Sequence, residues 1–151
     1  MRWPFSRRSP QPNELPIDGP WSVLKGNYNG LPMFVRLNTG YINYGRIGGY
    51  EHQVGIAVPL HTPGPDGLPT SEEAIELDAL EDAACKVLEA GQQSLFVATI
   101  TTGNMREFVY YTRAPEEVKK QFHPLARSIS THSIQLMIKP DREWTTYAQL
   151  R

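Results

Sequence analysis

The sequence predicts an α+β fold built on one antiparallel sheet. A helix pattern with a capped, acidic start covers residues 71–90, and two strand patterns joined by a tight turn follow at 94–112. Three strand patterns precede this helix, and one helix and one strand pattern follow the hairpin. The order is therefore ββ and then β-α-β-β-α-β. The second part is the split β-α-β, or ferredoxin-like, arrangement, with two helices on one face of the sheet, extended here by an N-terminal β-hairpin.

Length and composition indicate one globular domain. The chain has 151 residues, of which 40% are hydrophobic, and this is enough to bury a sizeable core. The net charge of −1 gives no global attraction to nucleic acid, and no apolar run approaches the roughly 20 residues that span a bilayer. A single cysteine, Cys85, excludes an internal disulfide. We therefore expect a cytoplasmic protein without a membrane span and without bound nucleic acid.

The first 20 residues differ in composition from the rest of the chain. They are predicted to form a flexible, Pro-rich, basic tail, and a single α+β domain is predicted over 21–151. The pair Arg7-Arg8 resembles the start of a twin-arginine export signal, which needs an apolar region of about 7–15 residues after it. The segment QPNELPIDGP follows instead, so we expect no export signal.

The folded part begins with a predicted β-hairpin at Trp21. WSVLKGNY and LPMFVRL flank Asn29-Gly30, a dipeptide that tolerates the positive φ angles of a two-residue turn. On the second strand, apolar side chains alternate with others, so that one face of the strand is expected in the core. The alternating apolar residues are Met33, Val35 and Leu37.

The next segment, TGYINYGRIGGY at 39–50, contains four glycines and three tyrosines. A phosphate-binding loop requires a glycine-rich turn between a strand and the start of a helix, and no helix pattern follows here. The tyrosines have two interpretations. Their rings pack over the glycine-rich backbone, or they form recognition contacts at the surface.

The third strand, HQVGIAVPL, places one apolar row on a single face. Period-two alternation aligns Val54, Ile56, Val58 and Leu60, with His52 at the end of the row. A metal or catalytic role for His52 needs partners at ligand spacing. The other histidines, His61, His123 and His132, lie at no such spacing from it, so we expect no metal site and no cofactor.

The first long helix has the clearest local signal. Thr70 is predicted as its N-cap and Glu73 as the partner in a capping box, with a helix over 71–90 and Gly91 as its stop. Cys85 is interpreted as a small packed residue. The predicted core stripe is Leu77, Leu80, Ala84, Val87 and Leu88, and an acidic face of Asp78, Glu81 and Asp82 is interpreted as solvated.

The remaining elements complete the predicted fold. Strands are predicted at 94–100 and 106–112, with TTGNM as their turn. A second helix is expected to begin near Ala114 and to be kinked or divided at Pro124. A last strand is predicted at 132–139, followed by the aromatic segment DREWTTY. The predicted core residues of the second helix are Val118, Phe122, Leu125 and Ile129.

The turn of the second hairpin is the candidate binding site. A carboxylate or phosphate group could be bound here by three kinds of group together. These are threonine hydroxyls, backbone N–H groups that a glycine leaves accessible, and the guanidinium of Arg106. The structural alternative is an ordinary hairpin in which Arg106 pairs across strands. The candidate ligand- or partner-binding residues are Thr101, Thr102, Arg106, Glu107 and Tyr110, with Tyr111 also in a position to flank a ligand.

Several motifs resemble those of an uncharacterised bacterial family, domain of unknown function 695. GLPTSEE at 67–73 and TTGNMREFVYYT at 101–112 are the specific ones, and the similarity covers nearly everything from Trp21 onward. Near the C-terminus the family often has Asp-Pro-x-Trp, whereas this chain has Pro140-Asp141-Arg142-Glu143-Trp144. The resemblance implies a bacterial α+β domain and no particular activity. Weaker points of similarity are Gly30-x-Pro32, Leu80-Glu81-Asp82 and Tyr147.

Two classes of function follow from these observations. We favour a non-catalytic interaction or regulatory module that binds a protein partner through its sheet edge, its acidic helix or the Tyr/Gly loop, because the sequence contains no nucleophile elbow, HExxH or P-loop. The alternative is a small-ligand-binding domain, or a small hydrolase or transferase that uses the 101–107 region. In that case His52 or Glu107 is the general base and Arg106 stabilises an anion.

Overall fold

The computed structural model describes residues 10–151, which form a six-stranded antiparallel sheet and three α-helices. The strand order across the sheet is β1-β2-β4-β5-β3-β6. The α+β class is therefore confirmed. The strands are β1 (Trp21–Tyr28), β2 (Leu31–Asn38), β3 (His52–Pro59), β4 (Ser94–Thr102), β5 (Met105–Thr112) and β6 (Gln135–Pro140), and the helices are α1 (Ser71–Leu88), α2 (Pro115–Ser128) and α3 (Thr145–Leu150).

Both predicted hairpins are confirmed, and each has a two-residue turn with two positive φ angles. Asn29 and Gly30 have φ values of 52° and 80°, and Gly103 and Asn104 have 59° and 67°. Such turns match the twist of the strands that they join. The strand β4 continues two residues further than predicted, because Thr101 and Thr102 pair with β5.

The capping box of α1 is half formed. The hydroxyl of Thr70 accepts a hydrogen bond from the backbone N–H of Glu73, as predicted. The carboxylate of Glu73, however, turns inward and accepts hydrogen bonds from His61, Thr62 and His132. Glu73 therefore joins three segments of the chain. The helix ends at Leu88, two residues before the predicted end, and Gly91 follows in the left-handed region with φ 60°.

The second helix is continuous, so of the two expected effects of Pro124, a kink or a division, the division does not occur. The helix runs from Pro115 to Ser128 with Pro124 inside it. Val118 and Leu125 are both buried against the sheet on either side of the proline. We attribute the continuity to this packing, because tertiary contacts override a local helix-breaking tendency.

The sheet has an apolar layer on each face. The helices α1 and α2 cover the face that contains Val54, Ile56 and Val58, which is the row predicted for the third strand. The loop 39–50 and α3 cover the other face, where Tyr41, Tyr50, Tyr111, Trp144 and Tyr147 are buried. For Tyr41 and Tyr50, the interpretation as packing residues is therefore the right one.

Part of the Pro-rich N-terminal segment lies against the domain. The carbonyl of Pro12 accepts a hydrogen bond from Gln92 at 2.8 Å, and the carbonyl of Pro16 accepts one from Asn38 at 2.7 Å. Leu15 packs against the face that α3 covers. The first nine residues of the predicted tail lie outside the described residues. Among residues 10–151, no helix combines the length and the apolar character needed to cross a membrane.

Candidate functional site

The residues of the predicted hairpin site are divided between the two faces of the sheet. Arg106 lies on the side of α1, where its Nε donates to the hydroxyl of Thr101 at 2.8 Å. Burial lowers the pKa of Arg106, and the nearby carboxylates of Asp78 and Glu81 act in the opposite direction. The guanidinium therefore already lies in an acidic environment, which disfavours binding of an external anion.

Glu107 lies on the opposite face of the sheet from Arg106. A Cβ placed on Gly55, its neighbour on β3, would lie 2.6 Å from Oε2 of Glu107, so this glycine leaves room for the carboxylate. Burial raises the pKa of Glu107, and Lys139 partly offsets the effect. Because successive side chains on a strand point to opposite faces, Arg106 and Glu107 cannot act on one small ligand together.

The other predicted site residues make internal hydrogen bonds. The hydroxyl of Thr102 donates to the carbonyl of Pro32 at 2.9 Å. Tyr110 is fully buried beneath α1, with its hydroxyl 3.2 Å from the sulfur of Cys85. Tyr111 is also buried and donates to Asp141 at 2.7 Å. Both tyrosines belong to the core, on opposite sides of the sheet.

A cluster of two histidines and two glutamates lies where β3 ends and β6 begins. The rings of His61 and His132 are stacked with their centroids 4.4 Å apart. The carboxylate of Glu76 lies 2.9 Å from His61 Nε2, and that of Glu73 lies 2.7 Å from His132 Nε2. We call His61, Glu73, Glu76 and His132 the His/Glu cluster.

The inner half of the His/Glu cluster is buried and the outer half is open to solvent. The side chains of Glu73 and His132 are both 0% exposed, whereas those of His61 and Glu76 are 44% and 36% exposed. Burial by itself raises the pKa of Glu73, but hydrogen bonds from His61, His132 and Thr62 together lower it to about 2. Glu73 is therefore a carboxylate anion that the surrounding donors fix in place.

Sequence reasoning missed the His/Glu cluster because its members come from three distant segments. The two histidines flank strands that pair only in the folded sheet, and the two glutamates lie on the first two turns of α1. The single member of the cluster that the sequence singles out is Glu73. Its place in a capping box is a sufficient reason for an acidic residue there, so it does not by itself indicate a site. His52 lies at the opposite end of β3 from this cluster.

The β1–β2 hairpin has an unusually apolar surface. Of the eight large apolar side chains that are exposed in the described part of the chain, four belong to this hairpin. Val23 is 62% exposed and Tyr28 is 59% exposed, and Leu24 and Leu31 are exposed as well. Within residues 10–151, no strand pairs with the outer edge of β1. An edge of this kind readily pairs with another chain.

The family comparison agrees with the sequence motifs. A model described as "Family of unknown function (DUF695)" matches residues 19–150. The chain belongs to this family. No curated protein and no solved structure matches the chain. In this DUF695 domain, GLPTSEE ends at Glu73 of the His/Glu cluster, and TTGNMREFVYYT forms the β4–β5 turn and β5. The family description assigns no activity, so a function has to be argued from the geometry.

Proposed function

We propose that this DUF695 domain is a non-catalytic protein-interaction module, and that the outer edge of β1 receives an extended segment of a partner protein. The observation that supports the proposal is the combination of a free edge and exposed apolar side chains on β1. A free edge strand offers unpaired backbone N–H and C=O groups, and strand addition uses them for affinity. The side chains on either side of the edge then provide selectivity.

The composition of β1 indicates what kind of segment it would receive. Its sequence, WSVLKGNY, contains one charged residue, Lys25, and no acidic residue. Val23 and Leu24 are exposed on opposite faces of the hairpin, because successive residues of a strand alternate. The complementary segment is therefore an extended one with apolar side chains on both faces and a carboxylate that pairs with Lys25.

The alternative function, a small-ligand site or a hydrolase or transferase at the 101–107 hairpin, has less support from the geometry. Arg106 and Glu107 point to opposite faces, as described above. His52 pairs with Thr112 and Val58 pairs with Arg106, so His52 and Arg106 are about 20 Å apart along the sheet at roughly 3.3 Å per residue. These groups do not converge on one reacting atom.

The test uses charge to block the edge. We would purify tagged protein from its native host and identify bound partners by mass spectrometry. The blocked variant carries Val23→Lys with Tyr28→Lys, which extends the positive charge of Lys25 along β1. A matched control carries Ile75→Lys with Met137→Lys, two other exposed apolar positions, 71% and 39% exposed. Hydrogen exchange of the β1 amides is then measured with and without the identified partner.

The expected result is a protein partner that the wild type and the control retain and the blocked variant loses, together with slower exchange of the β1 amides in the complex. Equal binding by the blocked variant and the control would reject the β1 edge as the contact. Sedimentation of the purified wild type tests whether a second copy of the chain occupies the β1 edge. If the wild type forms a dimer and the blocked variant does not, the edge binds a second copy of the chain and not a partner protein.

We also propose that β3, α1, β4, β5, α2 and β6 form a ferredoxin-like unit. The strand order β4-β5-β3-β6 and the position of both long helices on one face support this assignment. A bacterial, cytoplasmic setting is likewise our proposal, and the single cysteine supports a reducing compartment.

A further inference from the structure

The His/Glu cluster brings together the side chains that zinc-type cations prefer. One ring nitrogen each of His61 and His132 and one carboxylate oxygen of Glu76 all lie within 4.8 Å of one another. Zn–N and Zn–O bonds of about 2.0–2.2 Å in a tetrahedron hold neighbouring ligand atoms roughly 3.3–3.5 Å apart. The distance from His61 Nε2 to Glu76 Oε1 is 2.9 Å, which is already close to this range.

The surroundings of the three side chains are organised like the shell of a metal site. Glu73 accepts a hydrogen bond from His132 and fixes its ring, and a carboxylate commonly orients a metal-binding histidine in this way. The same carboxylate accepts hydrogen bonds from the backbone N–H groups of His61 and Thr62. The loop that carries His61 is therefore tied to the start of α1, the helix that carries Glu76.

Charge and access favour a divalent cation at the same place. The two carboxylates of the cluster, Glu73 and Glu76, face two imidazoles that bind metals in their neutral form. A divalent ion balances the two carboxylate charges. The outer residues, His61 and Glu76, are 44% and 36% exposed, so an ion can reach their ligand atoms from solvent.

We propose that His61, Glu76 and His132 bind a zinc-type divalent cation, with Glu73 as the residue that positions His132. The cation takes the place of the hydrogen between His61 Nε2 and Glu76 Oε1, and the His61 ring stays neutral because its proton moves to Nδ1. Three protein ligands leave a fourth position for water, which is the arrangement of zinc sites with an open coordination position.

The test is direct metal binding by the full chain, prepared without a histidine tag and stripped of metal with a chelator. Zinc chloride is titrated by calorimetry, and Co²⁺ is used as a probe because its visible absorption reports the coordination number. The ligand variants are His61→Ala and Glu76→Gln, which change half-exposed side chains and preserve the core. The matched control is His123→Ala, an exposed histidine on α2 away from the cluster.

We expect one equivalent of Zn²⁺ per chain and a four- or five-coordinate Co²⁺ spectrum for the wild type and for His123→Ala. Each ligand variant should weaken Zn²⁺ binding by at least about tenfold. Zinc should also raise the midpoint of thermal unfolding of the wild type more than that of His61→Ala. Absence of stoichiometric binding, or equal binding by His61→Ala and His123→Ala, would overturn the proposal. This outcome is independent of whether the β1 edge binds a partner.

Discussion

The imidazole rings of His61 and His132 stack with an interplanar angle of 26°. The contact follows from strand pairing, because Ala57 near the end of β3 is opposite Gln135 at the start of β6. The chain leaving β3 and the chain entering β6 therefore run side by side, and each carries one histidine. The first turn of α1 then adds Glu73 between them. The sheet topology itself thus assembles the His/Glu cluster.

The first prediction concerns Gly40, where the N-terminal segment contacts the domain. A Cβ at this position would lie 2.6 Å from Cβ of Pro16 and 2.8 Å from the carbonyl oxygen of Gly19. Gly40→Ala must therefore displace the segment that includes Pro16. We expect a loss of about 1–3 kcal/mol in the free energy of unfolding, as for other overpacked sites, and faster proteolytic cleavage before Trp21.

Gly48→Ala is the matched control for Gly40→Ala. It lies in the same loop, and a Cβ there would meet no atom within 4 Å. Urea unfolding and limited proteolysis of both variants make the comparison. If the two alanine variants have the same stability and the same cleavage rate, then the contact between residues 16–19 and the domain does not contribute to folding.

The second prediction concerns Asp141, which joins β5 to α3. Its carboxylate accepts hydrogen bonds from the hydroxyl of Tyr111 and from the backbone N–H groups of Thr145 and Thr146. Burial raises the pKa of Asp141, but these hydrogen bonds outweigh it and hold the pKa below its usual value. We expect Asp141→Asn to reduce the free energy of unfolding by about 1–2 kcal/mol at neutral pH.

The pH dependence of this loss has a definite sign. The pKa of Asp141 is lower in the folded state than in the unfolded state, where it is about 3.9. Its contribution is therefore complete above about pH 4 and disappears as the pH falls through the folded-state pKa. The stability difference between wild type and Asp141→Asn should shrink below about pH 4 in urea titrations. The exposed Asp82→Asn serves as control, and a pH-independent difference for Asp141→Asn would contradict the assignment.

The third prediction concerns the reactivity of Cys85. Burial raises the pKa of its thiol to about 12, and the hydroxyl of Tyr110 lies 3.2 Å from the sulfur. Because the thiolate is the reactive form, we expect native Cys85 to react with a disulfide reagent at least about a hundredfold more slowly than the unfolded chain at neutral pH. Similar rates for the folded protein and for the protein in urea would show that the thiol is accessible.

The local parts of the fold were predictable from sequence because short motifs determine them. Asn29-Gly30 and Gly103-Asn104 fix two hairpin turns through their positive φ angles. Thr70 marks the start of α1 because its hydroxyl accepts a hydrogen bond from the backbone N–H of Glu73, one of the free N–H groups of the first turn. Pro124 is an exception, since the local rule for proline takes no account of the packing of Val118 and Leu125 on the sheet.

The candidate sites were harder to predict because they depend on contacts between distant segments. The motif around Arg106 and Glu107 has suitable chemistry, but strand alternation separates the two side chains. Conversely, His61 and His132 have no recognisable spacing in the sequence and meet only through the pairing of β3 with β6. Likewise, nothing in the sequence of β1 shows that it lies at an edge of the sheet.

The last prediction concerns Trp144, the centre of the aromatic layer beneath α3. Its ring is fully buried and stacks on Tyr111 at 4.2 Å, and its Nε1 donates to the carbonyl of Tyr50 at 2.8 Å. The backbone has φ 56°, which is unfavourable for a bulky residue and is tolerated because these contacts hold the ring in place.

We expect Trp144→Ala to reduce the free energy of unfolding by about 3–5 kcal/mol, because it removes the stack and leaves a cavity. Trp144→Phe should cause a smaller loss, since it keeps an aromatic ring but leaves the Tyr50 carbonyl without its donor. Trp21→Ala is the control, because Trp21 is only partly buried where it packs on Phe96. Urea unfolding followed by circular dichroism gives the free energy of unfolding of all three variants without relying on tryptophan fluorescence. A loss for Trp144→Ala no larger than that for Trp21→Ala would mean that α3 and its aromatic layer add little to the stability of the sheet.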